Sequence, residues 1–498
     1  MRGGCAITGG ATHMLLLCGM LLTLAANASS EPKTSAGASS KYIVIDAGSS
    51  GCRVHVYTIS QQPGQQLPAV ELPDKKLKKS PGLSSFAKNP TDAGASLAGL
   101  LVFAKQHVPA DEHQATPIRL AATAGLRLLP KETSDTILDS CYTYLKENSK
   151  FLVTRDKISV ISGRDEGAYG WLSINFLLNR LNGMSDAREG TMGSIEMGGA
   201  SSQVTVQLKG EAAKAAADPS TTYTLTVAGQ KYTLYTHSYL GFGQEQARSR
   251  YNALLKGPAV EDPCFNKGYN VAVRATNTVD QQYDQYAGRT AGDFSGGGNY
   301  SACSAAMDDL FTEVNPALKL AAKCKTPPCA FGGVHQPRFW EGGKEASSMV
   351  LFENFFHSSN ALNMPSGPGS SVTIEDFVTT GSKWCSLDWS FVSKTGDMGS
   401  EQHGIYSKME DEKEKKMCFS MAFMASFLSA LGMPQKYSMA IMGDIRDTPI
   451  EWALGLMIAD LTAASARSPA SVASTVAPAH SAVPLGISRR MPEEDIVR

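Results

Sequence analysis

Two acids stand 150 positions apart in the same local setting. Asp46 closes the apolar, β-branched run Tyr42-Ile43-Val44-Ile45 and opens the turn Ala47-Gly48-Ser49-Ser50-Gly51; Cys52-Arg53-Val54-His55-Val56-Tyr57 then alternates apolar and polar. Glu196 follows Ile195, opens Met197-Gly198-Gly199-Ala200-Ser201-Ser202, and leads into Gln203-Val204-Thr205-Val206. Each stretch reads as a strand, a tight anion-sized turn and a returning strand. Glycine lets the backbone approach a phosphate closely, successive N–H groups can point at it, and hydroxyls add donors. The paired acids suit a hard cation, Mg²⁺ or Ca²⁺, which prefers oxygen ligands and keeps waters.

The same residues exclude other chemistries. No Gly-Lys-Ser/Thr follows either turn, and a strand follows where a P-loop would have a helix. No histidine stands at a nucleophile elbow, and no His/Cys cluster has metal-ligand spacing. Hydrolysis of a phosphate by an activated water fits best. It needs a base, a group that positions the water, and donors or a cation for charge on the transferring oxygens. Asp165 and Glu166 are candidates for the base, because they sit just past the strand-like run Ile158-Ser159-Val160-Ile161 at the start of a helix. One acid there commonly serves capping or the helix dipole, so the pair is more informative than either alone.

The elements that must position these groups follow from periodicity. Repetition of acid-x-Gly-small-small predicts two related lobes that each present an acid and a phosphate-sized loop to a shared cleft. Ile118-Arg119-Leu120-Ala121-Ala122 reads as a short strand with the Thr123 hydroxyl at its edge. Residues 163–178 read as an amphipathic helix that exposes Tyr169 and buries Trp171, Ile174 and Leu178. Ala93–Gln106 and Ser134–Lys146 read as helices, and Asp74–Lys79 as a solvated loop. Residues 207–230 read as a surface excursion with low-complexity composition.

Composition bounds the class. Charged residues make up 19%, hydrophobic residues 42%, and net charge is -1, so nothing suggests a nucleic-acid binder. The apolar stretch Met14–Ala26 with the small-x-small site Ala26-Asn27-Ala28 reads as a signal peptide over 1–28, with an uncleaved anchor as the alternative. No other stretch reads as a membrane span. Eight cysteines follow that leader, six of them after residue 260. They read as disulfides stapling the second half, with Cys264–Cys303, Cys324–Cys329 and Cys385–Cys418 the expected pairs, although spacing does not fix connectivity. Whether Cys52 and Cys141 pair or stay free is left open. Asn299-Tyr300-Ser301 is a glycosylation sequon.

Five segments in order resemble the apyrase family of nucleoside triphosphate diphosphohydrolases, which includes ecto-apyrases and Golgi nucleoside diphosphatases. They are Asp46-Ala47-Gly48-Ser49-Ser50-Gly51, Ala121-Ala122-Thr123-Ala124-Gly125-Leu126-Arg127, Ser162 to Asn175, Glu196-Met197-Gly198-Gly199-Ala200-Ser201-Ser202-Gln203, and Trp452-Ala453-Leu454-Gly455. The resemblance spans Tyr42 to Ile458. It implies an α/β fold of two ribonuclease-H-like lobes of the actin and sugar-kinase type with an interlobe active-site cleft. The expected boundaries are lobe I over 40–163 completed by 438–462, a disulfide-stapled lobe II over 164–437, and a flexible tail over 463–498.

Carried over by motif position, the resemblance makes Glu166 the general base and Ser201 and Gln203 the groups that hold the attacking water. Ser49, Ser50, Gly51, Gly198, Gly199 and Ala200 would hold phosphates, with Thr123 near the transferred group and Arg53 at the loop edge. Asp46 and Glu196 would hold Ca²⁺ or Mg²⁺, largely through its waters. Tyr300 and Phe352 are candidates for stacking on the base. Three positions depart from the family pattern: Glu196 where Asp is usual, Cys52 where a small or hydroxyl residue is usual, and Asp165 where Glu is common. The implied activity is hydrolysis of terminal phosphates from nucleoside tri- and diphosphates by a secreted, luminal or cell-surface monomer or weak oligomer. A Golgi-type diphosphatase preferring UDP or GDP is the alternative. A silent nucleotide-binding protein fits less well, because Glu166, Ser201 and Gln203 are all retained. A sugar kinase also fits less well, because export removes it from its ATP supply.

Overall fold

Alternation places Ile43 and Ile45 on one face of the first strand and Tyr42 and Val44 on the other, and both faces are buried. A strand buried on two sides needs a layer against each. Those layers are present in the computed structural model, which describes residues 39–61, 65–210, 219–255, 257, 259–273, 291–312, 324–341, 348–393 and 413–467. The expected signal peptide, the alanine-rich part of the surface excursion and the tail beyond residue 467 lie outside the described residues.

The first sheet contains β1 (Ser39–Ala47), β2 (Cys52–Ser60), β3 (Ala69–Lys79), β4 (Ile118–Ala122) and β5 (Ile158–Val160), in the order β3-β2-β1-β4-β5. The second contains β6 (Gly193–Met197), β7 (Ser201–Gln207), β8 (Thr222–Val227) and β9 (Gln230–Leu240). A small side sheet follows from β10 (Ala259–Asp262), β11 (Asn270–Val273) and β12 (Gly292–Gly296). Two later strands, β13 (Met349–Glu353) and β14 (Ala440–Ile441), complete the second sheet as β14-β13-β6-β7-β9-β8. Matching β1 with β6, β2 with β7, β3 with β9, β4 with β13 and β5 with β14 superimposes the two orders, and β8 is the extra edge strand. The sequence repeat is thus a repeat of topology. Register agrees as well: Asp46 pairs with Arg53 and Glu196 with Gln203, both members shifted by 150.

Ile43, Ile45, Val54 and Leu120 pack beneath the helices Ala98–His107 and Lys131–Glu147. Tyr42, Val44, Val350, Phe352, Trp171 and Met457 form a second core drawn from both sheets. A third core fills the second lobe, where the helix Met417–Ala430 is buried over nearly its whole length. All three expected disulfides lie in this half: Cys264–Cys303, Cys324–Cys329 and Cys385–Cys418. Cys52 and Cys141 are free and buried, and burial holds both thiols protonated, with Cys141 pushed up to about 12. Asn299 is exposed, and its side chain accepts from the Ala302 N–H at the start of the helix Tyr300–Thr312.

Several local expectations change. Asp74–Lys79 is the end of β3, an edge strand, and lysines that blunt an edge look like a solvated loop in sequence. Within the surface excursion, Thr222–Val227 is β8, paired along β9. The helix Gly163–Leu177 is not amphipathic: from Glu166 onward every residue but Tyr169 is buried. It lies between the second sheet and the helix Trp452–Arg467, so it has no solvent face, and Tyr169 is half-buried. The segment 438–462 does not simply complete the first lobe. β14 pairs with β13 in the second sheet, while the helix Trp452–Arg467 lies against β1, β8 and the helix Gly163–Leu177. That helix continues past residue 463, where the tail was expected to begin.

Candidate functional site

The two hairpin turns meet. A Cβ built on Gly199 would stand 2.8 Å from Ser49 Oγ, so the β1–β2 and β6–β7 turns touch at the mouth of one cleft. Behind the second turn the carbonyls are tied back. Gly198 O accepts from Gln244 N at 2.9 Å, Gly199 O from Glu245 N at 2.9 Å, and Ala200 O from Gly241 N at 2.8 Å. These bonds turn the carbonyls toward residues 241–245, and Gly198 N closes the turn by donating to Ser201 O at 3.0 Å.

The cleft has a cavity volume of about 100 Å³ and is lined by Asp46, Gly48, Ser49, Ser50, Gly51, Arg53, Lys78, Thr123, Ala124, Glu166, Glu196, Gly198, Gly199, Ala200, Ser201, Glu353 and Trp452. Of the residues carried over by motif position as base, water-holding, phosphate-holding and cation-holding groups, all but Gln203 are in that lining, and Gln203 is bonded to two of its members; Asp165 is outside it. Phe352 is 1% exposed and Tyr300 is 9% exposed, both inside cores, so neither ring is placed to stack on a base.

Glu166 owes its position to its neighbour. Ser162 Oγ accepts from Asp165 N at 3.1 Å, and Asp165 Oδ2 accepts from Ser162 N at 3.1 Å, a reciprocal cap that starts the helix. Asp165 Oδ1 accepts from Tyr223 OH at 2.9 Å, so this acid is occupied in structure. One residue on, Glu166 turns to the cleft. Its Oε2 accepts from Arg127 Nη2 and, at 2.9 Å, from Gln203 Nε2. Both bonds fall on one oxygen, which leaves Oε1 for a water. Gln203 Nε2 also reaches Ser201 Oγ at 2.7 Å and Ser238 Oγ at 3.1 Å, and its buried Oε1 has no partner.

Burial sets the electrostatics. It pushes the Asp46 carboxyl up to about 7, against the pull of Arg53 and His55. Burial raises Glu166 too, opposed by Arg127, and raises Glu196 well above the carboxylate range with Glu166, Glu353 and Asp46 adding repulsion. Asp46 Oδ1 and Glu196 Oε2 are buried without a hydrogen-bond partner. Orphaned, oxygen-only acceptors on opposite hairpins fit a hard cation. Among the described residues, the His/Cys/Asp/Glu trio with ligand atoms within 4.8 Å of one another is His55, Asp74 and Glu451. The cleft acids are spread wider, a spacing suited to a hydrated ion. The His55 trio is balanced by cations: His55 Nδ1 lies 2.8 Å from Asp74, while Arg53 and Lys76 bond Glu451 at 2.5 and 3.2 Å. Its effect is to fasten Arg53 at the cleft edge. Ser173 Oγ donates to Glu451 O at 2.7 Å and accepts from Gly455 N at 2.8 Å, fixing the fifth motif segment.

Four groups were not anticipated in these positions. Arg127 ends the second motif segment, yet its type alone does not name Glu166 as partner. Ser238 is opposite Gln203 on β9, a cross-strand relation with no sequence signal. Lys78 belonged to the presumed loop. Glu353 ends an apolar strand outside all five segments.

Residues 34–473 match the GDA1/CD39 (nucleoside phosphatase) family. The chain belongs to that family. It is a hydrolase of the apyrase kind. A probable apyrase 6 from Arabidopsis thaliana is 33% identical, over 84% of this chain and 71% of that protein. A guanosine-diphosphatase from Schizosaccharomyces pombe is 30% identical, over 84% and 73%. The solved nucleoside triphosphate hydrolases of Neospora caninum share the fold with a TM-score of 0.60 at 16% identity, over 86% of this chain and 93% of that one.

Proposed function

We propose that this family member removes terminal phosphates from nucleoside tri- and diphosphates, using a water activated by Glu166. The observation that carries this reading is Glu166, held by Arg127 and Gln203 beside two touching phosphate-sized turns. Ser49, Ser50, Gly51 and the turn Gly198–Ala200 grip the terminal phosphate, with the Thr123 hydroxyl at the transferred group and Arg53 at the edge. Ser201 and Gln203 hold the water, and the unpartnered Gln203 Oε1 is free to accept a hydrogen bond from one of its O–H groups. As the water oxygen bonds to phosphorus, Glu166 Oε1 takes the proton of the other O–H, and the bridging P–O bond breaks toward the nucleotide. The family is generally divalent-cation dependent. Asp46 and Glu196 would hold Ca²⁺ or Mg²⁺ through its waters, and the bound ion would supply charge neutralisation on the phosphates. Extension of Glu196 beyond the usual Asp is compatible with contact through water.

Three disulfides support a secreted or luminal setting. No helix of the described residues is long and apolar enough to cross a membrane. A diphosphatase preferring UDP or GDP is a second reading, supported by the guanosine-diphosphatase relative. Phosphate release from ATP, ADP, UDP and GDP, with and without divalent cation, separates the two. Glu166→Gln is expected to lower turnover by about 10²–10⁴-fold while nucleotide still binds. Turnover above about a tenth of wild type would remove Glu166 from the role of base.

A further inference from the structure

Strand alternation predicts the wrong direction for Glu353. Glu196 and Phe352 are register partners on adjacent strands, and both reach the same place: a Cβ built on Gly170 would lie 3.2 Å from Phe352 Cζ and 3.5 Å from Glu196 Oε2. The next register pair is Met197 with Glu353. Met197 points the opposite way, fully buried in the core of the second lobe. A regular strand would send residue 353 there with it. Glu353 instead has φ 59° and ψ -121°, a conformation that is strained for a non-glycine residue. The chain turns there, and the carboxylate lines the cleft beside Asp46 and Glu196.

Strain, burial and the neighbouring acids oppose this placement, while Arg53, Lys78 and Lys76 favour the ionised carboxylate. Glu353 adds a fourth carboxylate to a cleft that already contains Asp46, Glu166 and Glu196. None of the phosphate chemistry asks for it: an acid repels phosphate, and Glu166 already supplies the base. A cation does ask for it. Glu196 lines the cleft and is 6% exposed, and its buried Oε2, which lies toward Gly170 and the Phe352 ring, has no hydrogen-bond partner, so the site already presents unmet acceptor capacity. Wider spacing among these acids suits contact through an ion's waters, where a third acceptor is useful.

We propose that Glu353 is a third cation-holding carboxylate, which joins Asp46 and Glu196 around the hydrated divalent ion. The inference rests on the cation reading above and adds a residue outside the five motif segments. It makes the strained turn at 353 the means of bringing that residue to the ion.

The test is binding of Mn²⁺ to the full chain without nucleotide, followed by electron paramagnetic resonance or calorimetry. Glu353→Gln is expected to weaken binding by about 10–100-fold, the range for groups that act through an ion's outer shell. Asp46→Asn is the reference. If Asp46→Asn weakens binding and Glu353→Gln stays within twofold of wild type, the role of Glu353 is wrong and the cation reading survives. If wild type does not bind Mn²⁺, or neither variant changes the affinity, both fall. Glu353→Gly separates function from folding. It is expected to lose Mn²⁺ affinity yet melt at a higher temperature in chelator, because strain and repulsion are relieved; a lower melting temperature would make Glu353 a structural residue and overturn the proposal.

Discussion

Contact between the two phosphate turns can be tested at one atom. Gly199→Ala puts a methyl 2.8 Å from Ser49 Oγ, where ordinary contact begins at 3.4 Å. The obstacle is a hydroxyl on one rotatable bond, so the methyl is accommodated by turning Ser49 away. Folding should barely change. Binding should suffer, because a hydrogen bond to a charged group contributes about 1.5–3 kcal/mol, equivalent to roughly 10–150-fold in affinity. Steady-state kinetics on Gly199→Ala, Ser49→Ala and the double variant should show KM raised by that factor in each. The double variant should be no worse than Ser49→Ala, since both changes remove one interaction. Gly243→Ala is the contrast. Its Cβ would meet backbone, lying against Ala200 N and 2.5 Å from Gly199 C, which no side-chain rotation relieves. It should cost about 1–3 kcal/mol of stability or more. An unchanged KM in Gly199→Ala, or losses that add in the double variant, would refute contact through Ser49.

Two further expectations concern the base and the second lobe. Burial raises the Glu166 carboxyl and Arg127 opposes the rise, and only the deprotonated form acts as base. The rate kcat/KM should therefore climb with pH along an acid limb above the ordinary glutamate value of about 4.3. Arg127→Met should move that limb to higher pH, and a limb that stays put or moves down would show that Arg127 does not tune the base. Loss of the Cys385–Cys418 bridge, which spans 33 residues, should cost about 4 kcal/mol by the chain-entropy relation; denaturant unfolding of the Cys385→Ser/Cys418→Ser pair measures it.

Both hairpins and most of the site were legible because one short pattern carried several constraints at once. Apolar alternation made strands, Gly and Ser made the turns, and repetition at one offset made the pair meaningful. What stayed hidden depends on partners distant in sequence. Asp74–Lys79 carries its charges on an edge strand, where outward lysines and one buried acid look like a loop. The helix Gly163–Leu177 has polar and small residues that match two packed neighbours, and those neighbours come from residues 193–240 and 452–467. Ser238 faces Gln203 only through pairing of β7 with β9. Glu353 follows four apolar strand residues, and nothing in their order announces a left-handed turn.

The bond from Arg127 to Glu166 has one more consequence. Arg127 follows the first sheet's strand β4, whereas Glu166 and Gln203 are seated on the second sheet, so the base is charged by a partner on the opposite jaw. Without that bond, Glu166 would keep its burial and lose the guanidinium that opposes protonation. One contact between the two sheets' elements therefore sets the charge of the base.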